Sequence, residues 1–323
     1  MPAWSLHSDN KSYSSIAMTK DGNQAMAVSS DTTDEYEVFA NNFITNTHYA
    51  NNLKNSTVAN YDFAGKFVSA GLNSDESLGT LCYSDNATLL HRDIFHDITD
   101  QNSATFKPFS TAISRHNTAY FTGQLDNIFR TFKTYYSTNY TISTVIPNWN
   151  ETLTNIPIRG ISSSRTFLAS DFLAAVGSYE FLRIGSNDNW TEQQGSGSHD
   201  WVDISIASDN DSIIYAAATC RAGSESYAAE TNRNDFIYKS IDGGNNWTKC
   251  SQFGRKVWKS VSVNSDGTIV AAASAPDGMG DDGAIYVSTN GGTPSKYQDN
   301  NSYKNIRISD DGKIIVSSYY GNN

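Results

Sequence analysis

The feature that most constrains this chain is an internal repeat. One stretch runs Trp201-Val202-Asp203-Ile204-Ser205-Ile206-Ala207-Ser208-Asp209, then Ile213–Ala218, then Phe236–Ser240. It is matched in order, spacing and residue type by Trp258-Lys259-Ser260-Val261-Ser262-Val263-Asn264-Ser265-Asp266-Gly267, then Ile269–Ala273, then Ile285–Gly292. Self-similarity of this length means stacked supersecondary units that share their cores with their neighbours.

Each copy has a physical reading. Val261 and Val263 alternate with polar residues, the pattern of a strand with one buried face. Asp266-Gly267 is a hairpin turn signal, because glycine tolerates the positive φ of tight turns. The small run Ala271-Ala272-Ala273 is expected where inner strands crowd together near an axis. A variable loop, a third strand Ile285-Tyr286-Val287 and a second turn at Asn290-Gly291-Gly292 follow. Three or four antiparallel strands per copy make a propeller blade.

Weaker copies fit the same template. Ser15–Gly22 with Ala25–Val28 opens the first, Ala59–Ala70 the second, Phe109–Gly123 the third and Ile158–Val176 the fourth. Asn305–Gly312 with Ile314–Val316 opens a seventh. Successive copies begin roughly 43–57 residues apart, within the range of propeller blades. The expected fold is therefore all-β: a single β-propeller domain spanning 1–323, of seven blades with six as the alternative. Ala3-Trp4-Ser5-Leu6-His7 is the expected strand that closes the ring and covers its exposed edge.

Composition narrows the partners. A net charge of −11 argues against duplex nucleic acid and anionic membranes, which need a basic face. No stretch approaches the ~18 apolar residues of a membrane span. Met1–Asp9 lacks the basic and apolar regions of a signal peptide, which favours cytosol or a particle over secretion. Cys82, Cys220 and Cys250 form no CxxC motif and are expected as buried free thiols, unless neighbouring strands bring Cys220 to Cys250. Nine Asn-X-Ser/Thr sequons carry no information, since roughly seven arise by chance in so Asn- and Ser/Thr-rich a chain.

Ser240-Ile241-Asp242-Gly243-Gly244-Asn245-Asn246-Trp247 resembles the Asp-box, or BNR repeat, Ser-X-Asp-X-Gly-X-X-Trp. That family includes sialidases, sortilin-type propellers, xyloglucan-active glycosidases and the photosystem II assembly factor group. Ser288-Thr289-Asn290-Gly291-Gly292 resembles a second box with Ser295 at the Trp position. The resemblance implies a structural staple: Ser240 and Asp242 bond within the turn, Gly244 allows the tight backbone and Trp247 packs beside it. In the family this hairpin joins the two outer strands, away from the active face.

A sialidase resemblance further implies an arginine on the first blade, before the first box. No arginine precedes Arg92, so that position is empty. Asn155-Ile156-Pro157-Ile158-Arg159 echoes the Arg-Ile-Pro element in reversed order. A glycosidase also needs two carboxylates at a set separation, which spacing in sequence does not supply. No catalytic residue is therefore assigned.

Other candidates are few. Asp277, Asp281 and Asp282 stand among glycines in the loop after the second strand of the sixth copy. Such a loop could hold Ca²⁺ through oxygen ligands, although a solvated acidic turn is the commoner outcome. His91, His96, His116 and His199 show no zinc spacing, and Asp93 and Asp97 flank His96 in an expected loop. Phe132–Tyr140 is an aromatic loop stretch able to stack on sugar or contact protein. The expected function is a non-catalytic protein-interaction or assembly module. The alternatives are a glycan-binding or glycoside-hydrolysing propeller and a structural subunit of a larger particle or filament.

Overall fold

A computed structural model describes residues 13–29, 35–40, 45–50, 54–60, 67–72, 79–86, 89–97, 106–113, 118–125, 128–135, 150–154, 158–163, 172–186, 189–219, 234–276, 282–297 and 300–320. These residues are almost entirely strand. In chain order, β1 (Tyr13–Met18), β2 (Ala25–Ser29), β3 (Glu35–Ala40) and β4 (Thr45–Ala50) form one antiparallel sheet. The second contains β5 (Lys54–Asn60), β6 (Phe67–Leu72), β7 (Gly79–Asn86) and β8 (Leu89–Asp97). The third contains β9 (Phe106–Ile113), β10 (Thr118–Leu125), β11 (Ile128–Tyr135) and β12 (Asn150–Thr154).

β13 (Ile158–Ser163), β14 (Phe172–Glu180), β15 (Leu182–Ser186) and β16 (Asn189–Gln193) make the fourth. β17 (His199–Ile206), β18 (Ile214–Thr219), β19 (Asn234–Ser240) and β20 (Thr248–Lys249) make the fifth, joined to the fourth by a short β14–β17 pairing. The sixth is β21 (Val257–Val263), β22 (Ile269–Ala275), β23 (Ile285–Thr289) and β24 (Ser295–Tyr297). The last is the pair β25 (Ser302–Ile308) and β26 (Ile315–Tyr320).

The first strand of each sheet touches the first strand of the next, and β25 returns to β1. This closed circuit of antiparallel sheets is a β-propeller. The apolar cores lie between successive sheets. Tyr215 and Ile237 of the fifth sheet pack with Trp258, Val261, Ala272 and Tyr286 of the sixth. Ala216 and Ala218, on the other face of β18, pack instead with Leu182 and Val176 of the fourth. Period-2 alternation thus serves two cores at once, each large side chain contributing about 1.5–3 kcal/mol on burial.

The alanine run is crowded from both sides. Ala271, Ala272 and Ala273 lie on the second strand of the sixth sheet. They are fully buried because both faces of β22 are covered by neighbouring sheets, Ala272 in one core and Ala271 with Ala273 in the next. Two expected loops are also partly strand: Phe132–Tyr135 belongs to β11, and His91, Asp93, His96 and Asp97 belong to β8. In both, the backbone is extended and pairs with the adjacent strand. The expected closing strand Ala3–His7 lies outside the described residues. Closure among those described comes from packing: Ile314 and Val316 cover Tyr13, Ile16 and Met18.

Candidate functional site

The two ends of the sheets are built differently. At one end, the turn face, short turns follow the first and third strands. Thr19 Oγ1 donates to Asp21 Oδ1 at 2.7 Å and accepts from Gln24 N at 3.0 Å. In the last sheet Ser309 Oγ donates to Asp311 Oδ1 at 2.8 Å and accepts from Ile314 N at 3.0 Å. Asn264 accepts from Ile269 N at 2.8 Å in the sixth. In each turn an Asp at the third position accepts the N–H two residues on: Asn23, Thr268 and Lys313. Local bonds of this kind close a turn without any tertiary partner.

Backbone bonds then link turn to turn: Asp209 N to Ser265 O at 3.0 Å, Ser265 N to Asp310 O at 3.1 Å, and Asp310 N to Lys20 O at 2.8 Å. The last crosses from the final sheet to the first, beside a Lys20–Asp310 ion pair at 3.4 Å. Serines perform a similar task on the inner strands. Ser162, Ser205 and Ser262 each accept, at 3.2 Å, the N–H of Ile206, Val263 and Ile308 in the following sheet. A cavity of about 140 Å³ lies between these strands, lined by those serines with Ser208 and Arg307.

Ser240, Asp242, Gly244 and Trp247 come together on the turn face, between β19 and β20. Ser240 Oγ donates to Asp242 Oδ1 at 2.8 Å and accepts from Gly244 N at 2.8 Å. Asp242 accepts from Asn246 N at 2.9 Å and Asn246 Nδ2 at 2.7 Å, and these bonds hold its carboxyl below the ordinary range. Trp247 Nε1 donates to Gly244 O at 2.8 Å. Gly244 is required twice over, because its φ is +93° and a Cβ there would stand 2.8 Å from Ile184 Cγ1 of the fourth sheet. In the sixth sheet Ser288 is equally buried but donates to Gly292 O, and Asn290 stands where Asp242 does.

At the opposite end, the loop face, the ionisable groups of the described residues differ between the fourth, fifth and sixth sheets. Arg183 is buried and spans Glu180 at 3.3 Å and Glu192 at 2.9 Å. His199 Nδ1 lies 2.9 Å from Asp235 Oδ2, while Tyr238 donates to Asp235 Oδ1 at 3.2 Å. Burial, then the Asp235 charge, pushes the Tyr238 hydroxyl well above its ordinary range. Trp201 lies edge-on to both His199 and Tyr238 and donates to Glu180 O at 2.9 Å. Asp200 is buried, its Oδ1 has no hydrogen-bond partner, and Arg159 stands 3.9 Å away. Lys259 is near both, and its partial enclosure lowers the ammonium below its ordinary range.

The geometry at Arg159 and Lys259 has a repeated origin that the sequence reading missed. Every first strand holds one residue more than its partner strand opposes. Ile158 and Gly160 face consecutive residues of β14, leaving Arg159 as the extra residue. Lys259 is the extra residue between Trp258 and Ser260, Val202 between Trp201 and Asp203, and Lys304 between Tyr303 and Asn305. Such bulges re-aim a side chain. At Val202, Lys259 and Lys304 an aromatic residue precedes and a polar one follows, whereas Arg159 stands between Ile158 and Gly160, so no one sequence pattern marks the bulge.

Of the proposed Ca²⁺ ligands, Asp277 and Asp281 lie outside the described residues, and Asp282 is exposed just before β23. Among the described residues no group of three or more His, Cys, Asp or Glu side chains could hold a metal. Cys250 is a free, buried thiol pushed up to about 11 by burial, and Cys220 lies outside the described residues. No described helix is long and apolar enough to cross a membrane.

No family model matches the chain, and no curated protein matches it in sequence. Solved structures do. The GH74 xyloglucanase from Xanthomonas campestris is similar at a TM-score of 0.69 with 11% identity, over 97% of this chain and 51% of that one. The GH74 enzyme of Niastella koreensis gives 0.65 with 9% identity, over 96% and 51%. Sqt1 of Saccharomyces cerevisiae gives 0.56 with 9% identity, over 96% and 80%. The chain spans about half the length of the GH74 structures it matches. At these identities the likeness concerns the fold alone: this chain is built as a β-propeller.

Proposed function

We propose that residues 1–323 form one seven-bladed propeller that serves as a non-catalytic protein-interaction or assembly module through its loop face. The observation that carries this reading is the contrast between the two ends. The described turns tie Thr19, Asn264 and Ser309 into local bonds, whereas the loop face gathers Asp200, Arg159, Lys259, His199 and Asp235 at the seam of the fourth to sixth sheets. Departure from a repeat is where a repeat protein carries recognition. The hairpin at Ser240–Trp247 is read as an Asp-box, a fold staple on the face away from the site.

Lysine-directed cross-linking to a co-purified partner tests this. Cross-links should fall on Lys256 and Lys259 of the loop face; links confined to Lys20 and Lys313 of the turn face would sink the reading. A glycoside-hydrolysing propeller is the second reading. It is favoured by the GH74 likeness and by Glu180 and Glu192 sharing Arg183. Hydrolysis of a xyloglucan or glycoside panel, lost on Glu180→Gln or Glu192→Gln, would replace the first reading with the second.

A further inference from the structure

Three residues past each bulge, the inner strands share one register position. It holds Ala17, Ala112, Ser162, Ser205, Ser262 and Arg307, and all six line the cavity of about 140 Å³. The seventh inner strand, β5, packs between β1 and β9. Its side chains are outside the described residues, and its sequence Lys54–Asn60 contains no carboxylate. Five small residues and one arginine thus line a space below the roughly 300–1,000 Å³ of a drug-sized ligand pocket.

The lining is rich in donors that the protein does not use. Ser162, Ser205 and Ser262 each accept a backbone N–H from the following sheet, and among the described residues none of these hydroxyls has an acceptor for its own proton. Ser208 also lines the cavity; it is 8% exposed, and its buried Oγ has no hydrogen-bond partner among the described residues. Arg307 makes every bond through Nη1, to Ile306 O at 2.7 Å, Ser260 Oγ at 3.3 Å and Asp203 Oδ2 at 3.5 Å. Its Nε and Nη2 donors have no acceptor among the described residues, and 33% of the side chain is exposed.

The carboxylates beside Arg307 and in the lining are occupied. Asp203 already accepts from Ile204 N, Val261 N and Ser260 Oγ, and Asp310 pairs with Lys20. Water filling the cavity would need acceptors for its own protons, whereas an anion only accepts. We infer that the cavity within the ring binds a small tetrahedral oxyanion of the phosphate or sulfate class, held by Arg307, Ser208 and the hydroxyls of Ser162, Ser205 and Ser262. Several oxygens on one small centre let donors on different strands be satisfied together, with charge-assisted bonds that a single-atom anion cannot spread. The site is separate from the loop face, and it stands or falls independently of the interaction reading.

The test uses the full chain, equilibrium dialysis against radiolabelled inorganic phosphate, and thermal melts at constant ionic strength with chloride as the balancing anion. Phosphate should fill a single saturable site; sulfate should compete for it and chloride should not. Arg307→Gln should lower phosphate affinity by on the order of tenfold. Arg307→Lys keeps the charge but not the planar fork, and should lose less. Ser208→Ala separates binding from folding. Without phosphate it should melt at or above the wild-type temperature, because an unsatisfied buried hydroxyl is removed, yet its phosphate affinity should fall several-fold. Lys259→Glu, on the loop face, should leave phosphate affinity unchanged.

Absence of a saturable site, the result a merely hydrated cavity gives, overturns the inference. So does equal competition by chloride, or phosphate binding indifferent to both Arg307→Gln and Ser208→Ala. A melting temperature that climbs linearly with phosphate, and equally in Arg307→Gln, reports the general exclusion of phosphate from protein surfaces and overturns it as well.

Discussion

The turn face and the loop face are made by the same strands, yet they spend their polar residues in opposite ways. On the turn face Thr19, Ser309 and Asn264 occupy one geometric position and bond to the same backbone groups. Each turn is a closed local unit, and the turns join through backbone bonds from Asp209 to Lys20. On the loop face, among the described residues, Arg183 with two glutamates, His199 with Asp235, and Arg159 with Asp200 each occur in one place. Where side chains repeat they serve the ring; where they stop repeating lies the surface proposed above for recognition.

This contrast predicts that turn-face substitutions act on stability and loop-face substitutions on binding. The largest effect is expected for Gly267→Val. Its φ is +79°, and a Cβ would stand 2.5 Å from Ile213 Cδ1 of the preceding sheet. Left-handed strain and overpacking together should cost about 2–4 kcal/mol in urea unfolding. Gly291→Ala sharpens the point: φ is +71° but nothing lies within 4 Å. Only the backbone term remains there, about 1–2 kcal/mol by the same measurement. Equal losses at the two glycines would show that inter-sheet packing at the turns contributes nothing.

Ser262→Ala removes the acceptor of the buried Ile308 N–H and should cost about 1–2 kcal/mol. A smaller effect is expected from acid. Hydrogen bonds from Lys313 hold the Asp311 carboxyl at about 2, below its ordinary 3.8, and similar bonds lower Asp266 and Asp242. Their folded values lie below their unfolded ones. Their contribution is therefore complete above about pH 4 and is lost as pH falls towards 2. Asp311→Asn should flatten a chemical-denaturation profile across that window. The smallest stability effect, within about 0.5 kcal/mol, is expected for Lys259→Glu on the loop face. A large loss of stability there would break the contrast between the faces.

The sequence made particular elements legible for a physical reason. Alternation at Val261 and Val263, the Asp-Gly turns and the order of the copies are local properties, set by side-chain period and glycine's backbone freedom. The positive-φ glycines at 22, 243, 244, 267, 291 and 312 all stand in or beside turns read directly from the chain. The bonding of Ser240 to Asp242 was legible too, because both partners lie within one turn. The alanine run was located correctly, and the structure adds which sheets crowd it. Smallness is visible in sequence, whereas the sheets that cover Ala271–Ala273 from both sides are not.

The bulge residues were not legible. One extra residue in a strand leaves composition unchanged and only interrupts alternation, so Arg159, Lys259 and Lys304 read as ordinary solvated charges. Their equivalence depends on which residue of the partner strand each one misses, a relation fixed by cross-strand pairing. The burial of Asp200 and the meeting of His199 with Asp235, 36 positions along the chain, likewise depend on strands brought together in space.

By itself, then, the sequence determined that the chain is a repeat of short antiparallel strands joined by stapled turns, because those properties are encoded within a few residues of each other. Only the tertiary structure decided how the ring is closed among the described residues and which charges share one end of it. Ile314 over Gly22, Asp310 on Lys20 and Arg159 beside Asp200 are contacts between separate sheets. Electrostatic and packing energies depend on distance in space, and separation along the chain does not set it.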